Sequence, residues 1–109
     1  MRELSYHNYH PDTSRVLVKL GRCYADQGQF DEAERMLNRA LLGYQQLQKG
    51  HEKYLHDTQY MLGEVLERCG RLAEAGNAFA EARAGYENLL GPDDPDTVDA
   101  ARRLSHVRR

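Results

Sequence analysis

The sequence predicts an all-α fold, a solenoid of helical hairpins with two full repeats and a fifth, capping helix. Three observations lead there. Two segments repeat at a spacing of 42 residues: Leu20-Gly21 returns as Leu62-Gly63, Gly28 as Gly70, Glu32-Ala33 as Glu74-Ala75, Ala40 as Ala82, Gly43-Tyr44 as Gly85-Tyr86 and Leu47 as Leu89. Small residues recur as faithfully as large ones, which marks two copies of one packing unit, and a fixed period of this length marks a stacked array. The segments between breakers run to about 14–18 residues, long for strands and right for three to five helical turns. Finally, His10-Pro11-Asp12-Thr13 returns 84 residues later as Asp94-Pro95-Asp96-Thr97, the same helix-opening signal.

Residues 1–9 have no clear period and are expected to form a lead-in, with Tyr6 or Tyr9 folding back on the first helix. The first helix is expected from Pro11 to Gln27. Its stripe is Val16, Leu17, Leu20, Cys23 and Tyr24, and Gly28 stops it because glycine takes a left-handed cap without strain. The second runs from about Asp31 to Gln48 on Ala33, Met36, Leu37, Ala40, Leu41, Tyr44 and Leu47, closed by Gly50. The third runs from about Glu52 to Cys69 with Leu55, Leu62, Val65, Leu66 and Cys69 inward. The fourth runs from about Ala73 to Leu90 on Ala75, Ala78, Phe79, Ala82, Tyr86 and Leu89, ended by Gly91-Pro92. In the fifth, Asp94 caps the helix, Pro95 starts it, and Val98, Ala101, Leu104 and Val107 face inward. These bounds give repeat one about 10–50, repeat two about 51–91 and a half repeat about 92–109, within one array over 10–109.

A chain of 109 residues with 40% hydrophobic content is long enough for one domain with its own core. The net charge of −2 gives no global pull toward nucleic acid or anionic membrane. No run of 18 apolar residues and no apolar signal core is present, so a cytoplasmic protein is expected. Cys23 and Cys69 lie 46 residues apart inside helical patterns and read as buried small apolar side chains, compatible with a reducing compartment. His7 and His10, and His51 and His56, lack ligand spacing and read as surface residues, so no metal or cofactor is expected. No Ser-His-Asp set, phosphate loop or carboxylate dyad is specified, and an enzyme is not expected.

The residues resemble the tetratricopeptide repeat, in the long 42-residue form typical of kinesin light chains. The marks are Leu20, Gly21, Tyr24, Gly28, Ala33, Leu37 and Ala40 in repeat one, and Leu62, Gly63, Leu66, Gly70, Ala75, Phe79 and Ala82 in repeat two. Gly91-Pro92-Asp93-Asp94-Pro95-Asp96-Thr97 looks like the linker of this form. The resemblance implies a right-handed solenoid in which Gly21 and Ala33 let paired helices approach, with Leu20, Tyr24 and Leu37 filling the space around that contact. It also implies a non-catalytic scaffold for protein or peptide, part of a larger adaptor or sensor. The competing reading is a structural module whose repeats mediate oligomerisation with no groove ligand.

In the family the inner groove is lined by the first helix of each hairpin. Mapped here, the wall is Arg15, Val18, Arg22, Asp26, Asp57, Tyr60, Glu64, Glu67, Arg68, Asp99, Arg102 and His106, with Tyr60 its central aromatic. Arg15, Val18, Arg22, Tyr60, Glu64, Arg68, Arg102 and His106 are the candidate peptide-contacting set. Arginines around an aromatic are typical anchors for a peptide, and mixed signs disfavour a nucleic-acid backbone. The paired Asn of kinesin light chain repeats is absent, because those positions hold Val18-Lys19, Tyr60-Met61 and Arg102-Arg103. The two-carboxylate clamp of chaperone-binding repeats is also absent, since its positions hold Val18 and Arg22. Both ends of the array are expected to be open, giving weak self-association through the fifth helix and the first.

Overall fold

The structure, a computed structural model, describes residues 11–47 and 50–109. Its five helices are α1 (Pro11–Asp26), α2 (Phe30–Gln46), α3 (Glu52–Arg68), α4 (Leu72–Leu90) and α5 (Pro95–Val107). No strand occurs among the described residues. The expected lead-in, His7, His10 and the end of the second helix at Gln48 lie outside them. Dense contacts join consecutive helices only, α1 to α2, α2 to α3, α3 to α4 and α4 to α5. That is the pattern of a stacked array, in which each unit covers its neighbour's apolar side.

The two hairpin turns are built alike. Gly28 has φ +78° and Gly70 φ +85°, the left-handed region a side chain rarely adopts. The N–H of Gln29 then reaches the carbonyl of Tyr24 at 2.8 Å, and that of Arg71 the carbonyl of Leu66 at 2.9 Å. These bonds, from the residue after the glycine back across the last helical turn, satisfy carbonyls the helix end leaves open. At α5, Asp94 Oδ1 accepts the N–H of Asp96 at 2.9 Å and Pro95 opens the helix, the cap the sequence specifies.

Inside each hairpin the glycine admits a large side chain. A Cβ at Gly21 would lie 2.9 Å from Leu37, and one at Gly63 would lie 2.8 Å from the Phe79 ring. Ala33, Leu37, Ala40, Ala75, Phe79 and Ala82 are all fully buried. Small residues on one helix therefore face large ones on the other, as close helix packing requires. Gly85 does the same for a residue that periodicity left out, since a Cβ there would run into the part-buried His56 ring.

Several inward assignments fail, each for a geometric reason. Leu20 is 41% exposed and Val16 55%, because they face away from α2, on a side no described residue covers. Cys23 is exposed on that same side. Cys69 is also exposed, lying one residue past the end of α3, where its thiol turns back to the carbonyl of Leu66. Both thiols therefore correct the expectation of buried cysteines. Leu89 is 43% exposed near the end of α4. On α5 the inward face is Thr97, Ala100, Leu104 and Val107, while Val98 is 48% exposed. Thr97 belongs inward because its hydroxyl donates to the carbonyl of Gly91 at 2.8 Å, which also ties the linker to the helix.

Candidate functional site

The residues of the candidate groove wall lie on α1, α3 and α5, the first helix of each hairpin and of the half repeat. Its best-formed part lies between α3 and α5. Tyr60 projects from α3 with its ring edge-on to Phe79, centroids 5.3 Å apart. Its hydroxyl donates to Asp99 of α5 and accepts from Arg103 Nη1 at 3.0 Å. Arg103 also reaches Glu64 at 3.1 Å and Glu67 at 2.8 Å, and its guanidinium lies 5.5 Å from the Tyr60 ring centre and 5.0 Å from that of Phe79. One arginine thus joins two carboxylates and two ring faces, a charge-assisted arrangement suited to its planar fork.

A second network lies nearer the helix starts. The Tyr86 hydroxyl of α4 donates to Asp57 of α3. Lys53 spans from Asp57 to Asp96 of α5, 3.3 Å to each, with its ammonium over the Tyr86 ring. Burial pushes the Tyr60 phenol up to about 12, and the hydrogen bond to Asp99 adds to it. The same two causes, burial first and then Asp57, raise Tyr86 further. Burial works against the charge of Arg103, but Glu67 and Glu64 outweigh it and hold the guanidinium protonated.

These groups border two hollows. One, of about 290 Å³, is lined by Asp57, Tyr60, Met61, Glu64, Tyr86, Asp96 and Asp99 and is rich in carboxylates. The other, of about 570 Å³, is lined by Glu67, Arg102, Arg103, Ser105, His106 and Arg109 and is predominantly basic. Of the wall residues taken from the sequence, Asp57, Tyr60, Glu64 and Asp99 meet in the first hollow, and Glu67, Arg102 and His106 in the second. Arg102 pairs with Asp99 at 3.1 Å, and His106 lies 3.6 Å from Glu67.

The others stand apart. Arg15 pairs with Asp12 at 2.6 Å on exposed α1, and Arg22 and Asp26 are exposed there. Val18 is half-buried and packs into the core beside Leu17 and Leu37. Arg68 covers the Phe30 ring at 5.2 Å, at the start of α2. Tyr60, the central aromatic of the mapped wall, is half-buried with its hydroxyl engaged on both sides.

Sequence reasoning missed Arg103, Lys53 and Asp96. Arg103 shares a repeat position with Lys19 and Met61, and the available signal was its spacing of 39 and 36 residues from Glu64 and Glu67, just under one repeat. Among the described residues no group of three His, Cys, Asp or Glu side chains gathers as a metal site, and no helix is long and apolar enough to cross a membrane.

No curated protein matches the chain. The family model described as Tetratricopeptide repeat matches residues 1–46 and 54–109, nearly the whole sequence. The chain belongs to the tetratricopeptide repeat family.

Proposed function

We propose that this chain is a non-catalytic scaffold that binds a protein or peptide in the groove formed by α1, α3 and α5, and that it serves within a larger adaptor or sensor. Tetratricopeptide repeats generally mediate protein–protein interaction, and the family is not a catalytic one. The observation that carries the reading is the pair of adjoining hollows, one acidic and one basic, on either side of Tyr60 and Arg103. An extended segment with a charge of each sign would find a complement for both, and opposite charges set side by side favour one orientation of the ligand. The same mixture of signs speaks against a nucleic-acid backbone, which asks for a single-sign stripe.

The 42-residue spacing and the Gly91–Thr97 linker support the kinesin light chain-like subtype. A cytoplasmic location accords with two exposed, unpaired thiols, which an oxidising compartment would tend to couple. The proposed contact set remains Arg15, Val18, Arg22, Tyr60, Glu64, Arg68, Arg102 and His106. Within it, exposed Arg22 and Arg102 are the cleanest to test, since neither is packed in the core.

The experiment compares a captured partner's affinity for wild type, for Arg22→Ala with Arg102→Ala, and for Arg39→Glu on α2. The groove variant is expected to lose binding with helicity unchanged, and Arg39→Glu to retain it. Binding that survives the groove variant and disappears with Arg39→Glu would move the site to the outer helices.

A further inference from the structure

The two junctions of the groove, α3 with α5 and α1 with α3, are built from the same repeat positions but from different chemistry. Between α3 and α5 the bridges are polar. The Tyr60 hydroxyl donates to Asp99, Arg103 reaches back to Tyr60, Glu64 and Glu67, and Lys53 joins Asp96. One repeat earlier, 42 residues back, Val18 stands where Tyr60 stands and Met61 where Arg103 stands. Arg22 and Ala25 replace Glu64 and Glu67, and Tyr54 replaces Asp96. None of these replacements can make the equivalent bond. Asp57 does keep the carboxylate of Asp99, but it is held within its own repeat by the Tyr86 hydroxyl and Lys53.

Val18 and Met61 pack instead against the apolar cluster of Ala25, Ala33, Leu37 and Val65. Apolar burial is non-directional, whereas a hydrogen bond fixes both distance and angle. The polar bridges therefore hold α5 at one place on α3, while α1 can shift on α3 without breaking a bond of this kind. The polar and aromatic contacts between the two repeats lie elsewhere, along α2. Arg71, just before α4, pairs with Glu34, Arg68 covers the Phe30 ring, and Tyr44 stacks on Tyr54 with centroids 5.9 Å apart. Helix α1 in turn is fastened to α2, through the close Gly21–Leu37 contact and the buried Ser14 hydroxyl, which donates to the carbonyl of Ala40.

We propose that the groove carries a hinge between its two repeats. Helices α1 and α2 pivot as one body about the contacts along α2, so that α1 swings toward or away from α3, while α3, α4 and α5 keep their arrangement. The Val18–Met61 contact slides during that motion, as packed apolar surfaces do in shear between rigid parts. For a bound segment, the α3–α5 half is then a pre-formed platform and α1 an adjustable wall. That use rests on the reading of the groove as a binding site, whereas the hinge itself does not.

The test measures distance distributions between pairs of nitroxide labels by pulsed electron spin resonance, with no ligand present, so that it stands or falls apart from the binding experiment. The background is Cys23→Ser with Cys69→Ser, both at exposed positions. Labels at exposed Lys19 of α1 and Val98 of α5 span the hinge, and labels at exposed Glu81 of α4 and Val98 report on the second body. The Lys19–Val98 distribution should be clearly the broader of the two. Tyr60→Phe with Arg103→Met, which removes the bridges, should broaden the Glu81–Val98 distribution at unchanged helicity. Conversely, Val18→Tyr with Arg22→Glu and Met61→Arg rebuilds the bridges one repeat earlier and should narrow the Lys19–Val98 distribution. Equal widths in the parent chain overturn the proposal, as does a Glu81–Val98 width that ignores the loss of Tyr60 and Arg103. A folded triple variant with an undiminished Lys19–Val98 width overturns it too. Should that variant fail to fold, the first two comparisons decide.

Discussion

Arg103 is the side chain on which the α3–α5 contact depends most. Its partners Glu64 and Glu67 are partly exposed, so each ion pair alone is worth little. The two ring faces of Tyr60 and Phe79 add to them, and removing the guanidinium leaves two carboxylates close together without their cation. Arg103→Met should therefore destabilise by about 1–3 kcal/mol, and Arg103→Lys should restore only part of the loss because an ammonium lacks the planar fork. Urea midpoints measure both. Tyr60 carries a pH signature of the same contact. Its folded pKa of about 12 lies above the ordinary 10.0, so the native state holds this proton more tightly than the unfolded chain does. The resulting stability is complete below pH 10 and is lost as pH rises from 10 to 12. The thermal midpoint of wild type should fall faster across that window than that of Tyr60→Phe; equal slopes would mean that the phenol does not contribute.

Between helices, stability turns on matched small and large residues. Ala33 and Ala75 are fully buried where paired helices come close. Ala33→Leu and Ala75→Leu should each overpack the contact and cost about 1–3 kcal/mol, read as lowered denaturant midpoints with an unchanged slope. Gly63→Ala should cost more than Gly21→Ala, since its Cβ meets the rigid, buried Phe79 ring whereas Gly21 faces a Leu37 side chain that can rotate. This level of the fold was legible in the sequence, because Gly21, Gly63, Ala33 and Ala75 recur at one spacing and the turn glycines punctuate the helices. What periodicity could not supply was a helix's azimuth where no neighbour covers it. Leu20 and Cys23 fit the stripe of α1 as well as Leu17 does, but only Leu17 meets α2. The groove was partly legible: Tyr60, Glu64 and Asp99 do meet, whereas Arg103 and Lys53 act across helices, a pairing that spacing within one helix does not reveal.

Across the molecule, the dense backbone contacts run from each helix to the next, so a perturbation should weaken its own end first and fade along the array. The fifth helix allows a direct trial, because the structure keeps one of its two valines inward and turns the other outward. Val107 is 9% exposed in the cluster of Leu66, Ala75, Ala78 and Phe79, while Val98 faces outward. A carboxylate at position 107 would be desolvated within that cluster, with the cation of Arg103 already engaged by Glu64 and Glu67. Val107→Asp should therefore destabilise by roughly 2–4 kcal/mol, whereas Val98→Asp should stay within about 0.5 kcal/mol of wild type. Hydrogen exchange then locates the damage. In Val107→Asp, amides of α4 and α5 should lose protection well before those of α1 and α2, because the latter pair keeps its Leu17, Ala40 and Tyr44 cluster and the Leu37 contact over Gly21. Equal loss of protection in all five helices would show instead that the array unfolds as one cooperative unit. In that case the Arg71–Glu34 pair, the Arg103 contacts and the Lys53 bridge, which join successive repeats, would couple them more strongly than their exposed ion pairs imply.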